Sequence, residues 1–122
     1  MRKYVEILGS KYTIRKVSAG QDELMERLHF GGYCNGTAKE IVLLDLKTVP
    51  DWANEPQEII RRQERETLRH EVIHAFLNES GLGWNSLPVE HAWAKNEEMV
   101  DWIAIQFPKI CKVFKELGCL EV

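Results

Sequence analysis

The sequence predicts a single α+β domain: a small antiparallel or mixed sheet packed on a long helix, with a second helix following. Three observations predict it. The first third of the chain alternates apolar and polar residues and carries Asn35-Gly36 between two strand-like runs. A helix-start pattern near Asn54 then opens a long helical stretch that ends at Gly81. Beyond a loop with Gly83 and Pro88, a second helical pattern runs over 90–107.

Length and composition agree with one domain over residues 1–122. A chain of 122 residues suits one modest core. Its 44% hydrophobic and 29% charged residues are those of an ordinary globule. The net charge of −3 gives no basic footprint, so no nucleic-acid partner is expected. No apolar run is long enough for a bilayer, so no membrane partner is expected either. Met1-Arg2-Lys3-Tyr4 lacks the apolar stretch and cleavage site of a secretion signal. Cys34, Cys111 and Cys119 form no C-x-x-C pair, which suggests free thiols and a cytoplasmic location. Cys34 as a nucleophile is the sharper reading of that residue, and an idle thiol the plainer one.

In chain order, Tyr4–Leu8 and Lys11–Val17 alternate around Gly9-Ser10 and read as a broken strand or a short hairpin. Ser18 or Gln21-Asp22 opens a short helix through Leu28. Two antiparallel strands are expected near Phe30–Asn35 and Glu40–Leu46, joined at Asn35-Gly36. His29 is a candidate metal ligand or simply a turn residue. Asp51 or Asn54 caps the long helix, with Gln57 completing a capping box after Asn54. Its first turns, Arg61–Glu66, are charged on nearly every side and read as a solvated arm with internal ion pairs, or else as a partner-binding patch. Gly81 is a left-handed stop. The second helix spans roughly Glu90–Phe107, Pro108 breaks it, and Lys109–Leu117 forms a further helical segment before Gly118.

The chemistry lies in His70-Glu71-Val72-Ile73-His74, an H-E-x-x-H motif. Residues four apart share a helix face, so His70 and His74 can reach one metal ion. Glu71 stands about 100° round the helix, beside the water such an ion activates rather than among its ligands. Leu68, Val72, Ile73, Phe76 and Leu77 supply the apolar back that holds such a helix in a core. Two imidazoles, a carboxylate and an open position are the layout of a zinc hydrolase, with Zn2+ as the cofactor. A pair of surface histidines is the plain alternative.

The following helix carries Asn96-Glu97-Glu98-Met99-Val100-Asp101. A third ligand is needed, and a glutamate from a later helix is one solution. Met99, Val100, Ile103, Ala104 and Phe107 cluster on one side of that helix, with Glu97 and Asp101 at its border and Glu98 nearly opposite. Asp101 is suited to orient a ligand histidine through its second ring nitrogen. Each acid alone also reads as an ordinary helix-surface residue.

H-E-x-x-H followed by N-E-x-x-x-D resembles the thermolysin-type gluzincin pattern. Over roughly Gly32–Phe107, with the hairpin before the motif and the run Thr67-Leu68-Arg69-His70-Glu71, the chain resembles the compact phage and prophage zinc metallopeptidases of the ImmA/IrrE kind. The resemblance implies a minimal zincin-like fold. It makes His70, His74 and Glu97 the ligands, Glu71 the general base and acid, and Asp101 the partner of a ligand histidine, His70 foremost. It implies hydrolysis of a peptide bond in a protein or peptide substrate, received by a sheet edge for which Ile41–Leu46 is the candidate. The chain departs from the larger gluzincins in carrying no motif for an oxyanion-stabilising residue, for which Tyr33 and His91 are the candidates. SprT-like peptidases share the helix but use a histidine as third ligand, here only His91. The alternative function is a zinc-binding regulatory or interaction protein of phage type that cleaves nothing.

Overall fold

The computed structural model describes residues 3–28, 31–82 and 97–122, apart from the side chains of Leu28, Glu97, Val100 and Ala104. The calls on His29, Phe30 and His91, and the start of the second helix, lie outside the described residues.

The chain is α+β, with a mixed sheet of four strands. Strands β1 (Tyr4–Ile7) and β2 (Ser10–Val17) form an antiparallel hairpin. Its two-residue turn, Leu8-Gly9, has positive φ at both positions, 50° and 87°, the pattern that matches strand twist. Helix α1 (Glu23–Leu28) starts where Asp22 Oδ1 accepts the Met25 N–H at 3.0 Å, an Asx cap. Strands β3 (Gly32–Asn35) and β4 (Glu40–Leu44) pair antiparallel, and β4 also pairs parallel with β2. The sheet order is therefore β1-β2-β4-β3.

This order corrects the expectation for the peptide-receiving edge. Strand β4 lies inside the sheet, and Ile41, Val42 and Leu43 are all buried because both of its faces are covered. The outer strand on that side is β3. The β3–β4 connection is also longer than an Asn-Gly turn. Asn35 Oδ1 accepts the N–H groups of Thr37 and Ala38 at 3.1 and 3.0 Å, so the asparagine organises a four-residue turn from its first position.

Two short 3-10 turns, Leu46–Thr48 and Pro50–Trp52, lead to helix α2 (Gln57–Glu79). The expected caps are not used. Asp45 caps the first 3-10 turn, and α2 starts after Pro56 with no side-chain cap. The motif lies in the second half of α2, whose buried residues Leu68, Val72, Ala75 and Phe76 face Val5, Ile7, Tyr12, Ile14, Ile41 and Leu43 of the sheet in one core. At about 25 cal/mol per Å² of apolar surface, each fully buried Leu, Val or Phe contributes roughly 1.5–3 kcal/mol. Gly81 stops the helix at φ 86°, as its composition predicted.

The charged start of α2 holds tertiary contacts rather than ion pairs within the helix. Glu64 pairs with Lys16 of β2 at 2.8 Å. Arg65 and Arg69 donate to the main-chain carbonyls of Cys119, Glu121 and Val122, fastening the last residues to the motif helix.

Helix α3 (Glu97–Glu116) passes through Pro108 without ending. Pro108 is exposed, so its ring faces water and only one main-chain bond is given up. The inward stripe of α3 runs through Trp102, Gln106, Ile110, Val113 and Leu117. Ile103 and Phe107, expected to be buried, are 46% and 56% exposed. Trp102 lies on the inward side: its indole N–H donates to Ser80 Oγ at 3.0 Å, just past the end of α2. Among the described residues, no helix is long and apolar enough to cross a membrane.

Candidate metal and hydrolytic site

Helix periodicity places Gln63, Glu66, Thr67, His70, Glu71 and His74 along one stripe of α2, and all six line one cleft of about 480 Å³. Residues Gly31–Cys34, on and just before the outer strand, form the other wall. The strand lies hard against the helix: a Cβ at Gly32 would stand 2.9 Å from Thr67 Cγ2, and one at Gly36 would stand 2.8 Å from Asn78 Nδ2. Glycine at these two places lets β3 and its turn approach α2 so closely.

His70 and His74 turn their Nε2 atoms toward each other, 3.1 Å apart, with ring planes at 67°. Two imidazole nitrogens at about 2.05 Å from a tetrahedral zinc would be about 3.4 Å apart. The observed separation is that of an imidazole–imidazole hydrogen bond, and it is also close to the spacing of two nitrogens on one cation. Burial, with His70 beside it, holds His74 below the ordinary histidine range and favours the neutral ring a metal needs.

Glu71 is buried, with 6% of its surface exposed, and lines the cleft; among the described residues its carboxylate has no hydrogen bond or ion pair. Burial pushes its carboxyl above the ordinary range, and His70 only partly offsets this. Withdrawing a carboxylate from water is costly to a fold, and a raised pKa suits a group that takes and returns a proton.

Cys34 reaches the same cleft. Burial, with nearby Glu71, pushes its thiol up to about 11, so it is a protonated, poorly nucleophilic thiol near neutral pH. Tyr33 points to the opposite face of the sheet, where its hydroxyl donates to Asp22 at 2.8 Å and its pKa is pushed up to about 12 by burial and that bond. The phenol is therefore engaged away from the cleft. Asp101 is exposed and makes no hydrogen bond to either motif histidine. Glu97 is the first described residue of α3, with its side chain outside the described residues. The burial of Ile103 and Phe107 was the premise for preferring Glu97 to Glu98, and that premise fails. Among the described residues, no group of three metal-ligating side chains is assembled.

No protein-family model, curated protein or solved structure matches this chain. The functional reading therefore rests on the motif and its geometry.

Sequence reading singled out the motif but not the rest of the stripe. Gln63, Glu66 and Thr67 were legible as its continuation at spacings of seven, four and three from His70. The role of Gly32 was not, because only the packing of β3 on α2 reveals it.

Proposed function

We propose that the protein is a zinc-dependent peptide hydrolase of the gluzincin type, with a minimal zincin-like fold, acting on a protein or peptide in the cytoplasm. The observation that carries this reading is the largely buried Glu71, with a raised pKa, on the cleft beside two converging histidines. His70 and His74 are the proposed ligands, with Glu97 as the third on the strength of the N-E-x-x-x-D pattern and Asp101 as a supporting acid. Zinc held there supplies Lewis acidity and makes water acidic enough to ionise near neutral pH. Glu71 takes the proton of the attacking water and hands it to the leaving amine. Its raised pKa favours the second half of that cycle, in which it must act as an acid.

Strand β3 supports an extended peptide as substrate. Leu44 N–H donates to Gly31 C=O at 2.9 Å, and the register pairs Gly32 with Leu43 and Tyr33 with Val42. Alternation of an antiparallel ladder then turns the main-chain groups of Gly32 and Cys34 outward. These can pair with an added strand lying over the histidine stripe.

A second reading is favoured by one observation. The phenol of Tyr33 is held by Asp22, so the described cleft contains no aromatic hydroxyl for an oxyanion. A zinc-binding regulatory protein that cleaves nothing would need none. The test is mass spectrometry of a peptide library incubated with the zinc-loaded protein, alongside zinc content of His70→Ala and His74→Ala. Cleavage that disappears in Glu71→Gln supports the hydrolase. Zinc bound without cleavage supports the regulatory protein, and full zinc retention in both histidine variants overturns both.

A further inference from the structure

Glu66 stands in the cleft one helical turn before His70 and is exposed. Unlike Glu40, Glu64 and Glu79, which pair with Arg15, Lys16 and Lys39, it has no ion pair among the described residues. The described residues lining the cleft include no lysine or arginine. Among them, one anionic group stands without a cation at this end of the groove, with Gln63 as its polar neighbour.

The direction of a bound peptide follows from contacts already described. Gly32 lies against Thr67 and Gly36 against Asn78, so β3 and α2 run in the same sense. A peptide pairing antiparallel with β3 runs the other way. Its N-terminal part lies toward Asn78 and its C-terminal part toward Glu66. Four helix residues span about 6 Å, close to the length of two extended residues. Side chains two apart on a strand share a face.

We propose that Glu66 is a specificity residue, selecting a lysine or arginine about two positions after the bond to be cut. This rests on reading the cleft as a peptide site. Gly31 forms the opposite wall without a side chain, with Thr67 Oγ1 3.8 Å from where its Cβ would stand. Gln63 offers its amide oxygen to the same cation.

The experiment uses the full chain loaded with zinc, with Glu71→Gln to prevent turnover. Two fluorescent ten-residue peptides of Ala, Ser and Leu are compared by anisotropy at low salt. They are identical except for Lys or Glu at a single position, scanned along the peptide. The lysine peptide should bind about five- to tenfold more tightly at one position, the size expected when an exposed attraction replaces a repulsion. Adding Glu66→Gln should bring the ratio near one, and Glu66→Lys should invert it. A ratio that survives both changes, or no binding of either peptide, overturns the proposal. Cleavage by the unsubstituted protein is followed in parallel. Cutting without charge preference at that position overturns the role of Glu66 and leaves hydrolysis standing. Charge-selective binding without cutting upholds Glu66 and ends the hydrolase reading.

Discussion

Glu71 and Glu79 lie two turns apart on α2, and both are withdrawn from water. Glu79 accepts hydrogen bonds from Ser10 Oγ and Tyr12 OH, each at 2.7 Å, and pairs with Lys39 Nζ. Burial opposes its charge, but bonds from Lys39, Ser10 and Tyr12 outweigh that and bring the carboxyl down to about 2. Glu71 has none of these, and burial drives its carboxyl the other way. Glu79 ties the end of the helix to the β1–β2 hairpin and the β3–β4 turn. For Glu71, among the described residues, only the nearby His70 offsets part of its desolvation. Such contrast within one helix separates a carboxylate that holds structure from one that is kept for chemistry.

The largest expected effect tests that separation directly. Glu71→Gln should keep its zinc and lose hydrolysis by about 10²–10⁴-fold, the usual worth of a general base. The same change should leave the metal-free protein as stable or more stable, because it removes a carboxylate withdrawn from water. Urea unfolding and zinc content measured on one preparation check both. A clear loss of stability would make Glu71 a structural residue like Glu79 and break the comparison.

Glu79→Ala should show the reverse: a loss of about 2–3 kcal/mol of stability, with zinc content unchanged. The pH dependence has a definite sign. Glu79 has a lower pKa folded than unfolded, so its contribution is complete above the ordinary carboxylate value of 4.5. It fades as pH falls toward about 2. Urea midpoints through that range should therefore drop more steeply for the unsubstituted protein than for Glu79→Gln. Parallel curves would show that the Lys39 and Tyr12 bonds add no net stability.

The two ends of α2 also differ in how far they could be read from sequence. The Glu71 end was legible because metal chemistry demands fixed residue types at fixed helical spacing, and four residues suffice to state it. The Glu79 end was not. Its partners Ser10, Tyr12 and Lys39 are distant in the chain, and only tertiary packing joins them. The same limit explains the sheet. Periodicity disclosed β1, β2, β3 and β4, but the parallel pairing of β2 with β4 has no local signature. The unbroken apolar run Ile41–Leu44 was the one sign that β4 would be interior. On α3, apolar spacing favoured Ile103 and Phe107, while the single indole bond from Trp102 to Ser80 accompanies a different inward face.

That rotation makes the third ligand the next prediction to sharpen. Zinc affinity of Glu97→Ala, Glu98→Ala and His91→Ala should single out Glu97, with Asp101→Ala weakening binding by about 10–100-fold. Unchanged affinity in Glu97→Ala, with a large loss in His91→Ala, would replace the carboxylate by a histidine. Unchanged affinity in Asp101→Ala would leave it as the surface residue its exposure describes.

The smallest effect concerns the hairpin that presents Ser10 and Tyr12 to Glu79. Leu8 sits in its turn at φ 50°, where a side chain with a Cβ is disfavoured by roughly 1–2 kcal/mol. Leu8 is 37% exposed and is not part of the buried core, so its replacement removes only part of the packing of a core leucine. Asparagine tolerates this conformation, and Asn-Gly is the preferred pair for a turn with two positive φ values. Leu8→Asn should therefore raise stability by about 0.5–1 kcal/mol, read as a higher urea midpoint with an unchanged slope. Combined with Glu79→Gln, the gain should shrink if the hairpin is ordered partly by its bonds to the helix, and add fully if the turn forms independently. Zinc content should not change in either case, because Ser10, next to the turn, meets α2 at Glu79 rather than at the histidines. A shift in zinc affinity on Leu8→Asn would mean that the two ends of the helix are coupled, and that Glu79 positions the site it was contrasted with.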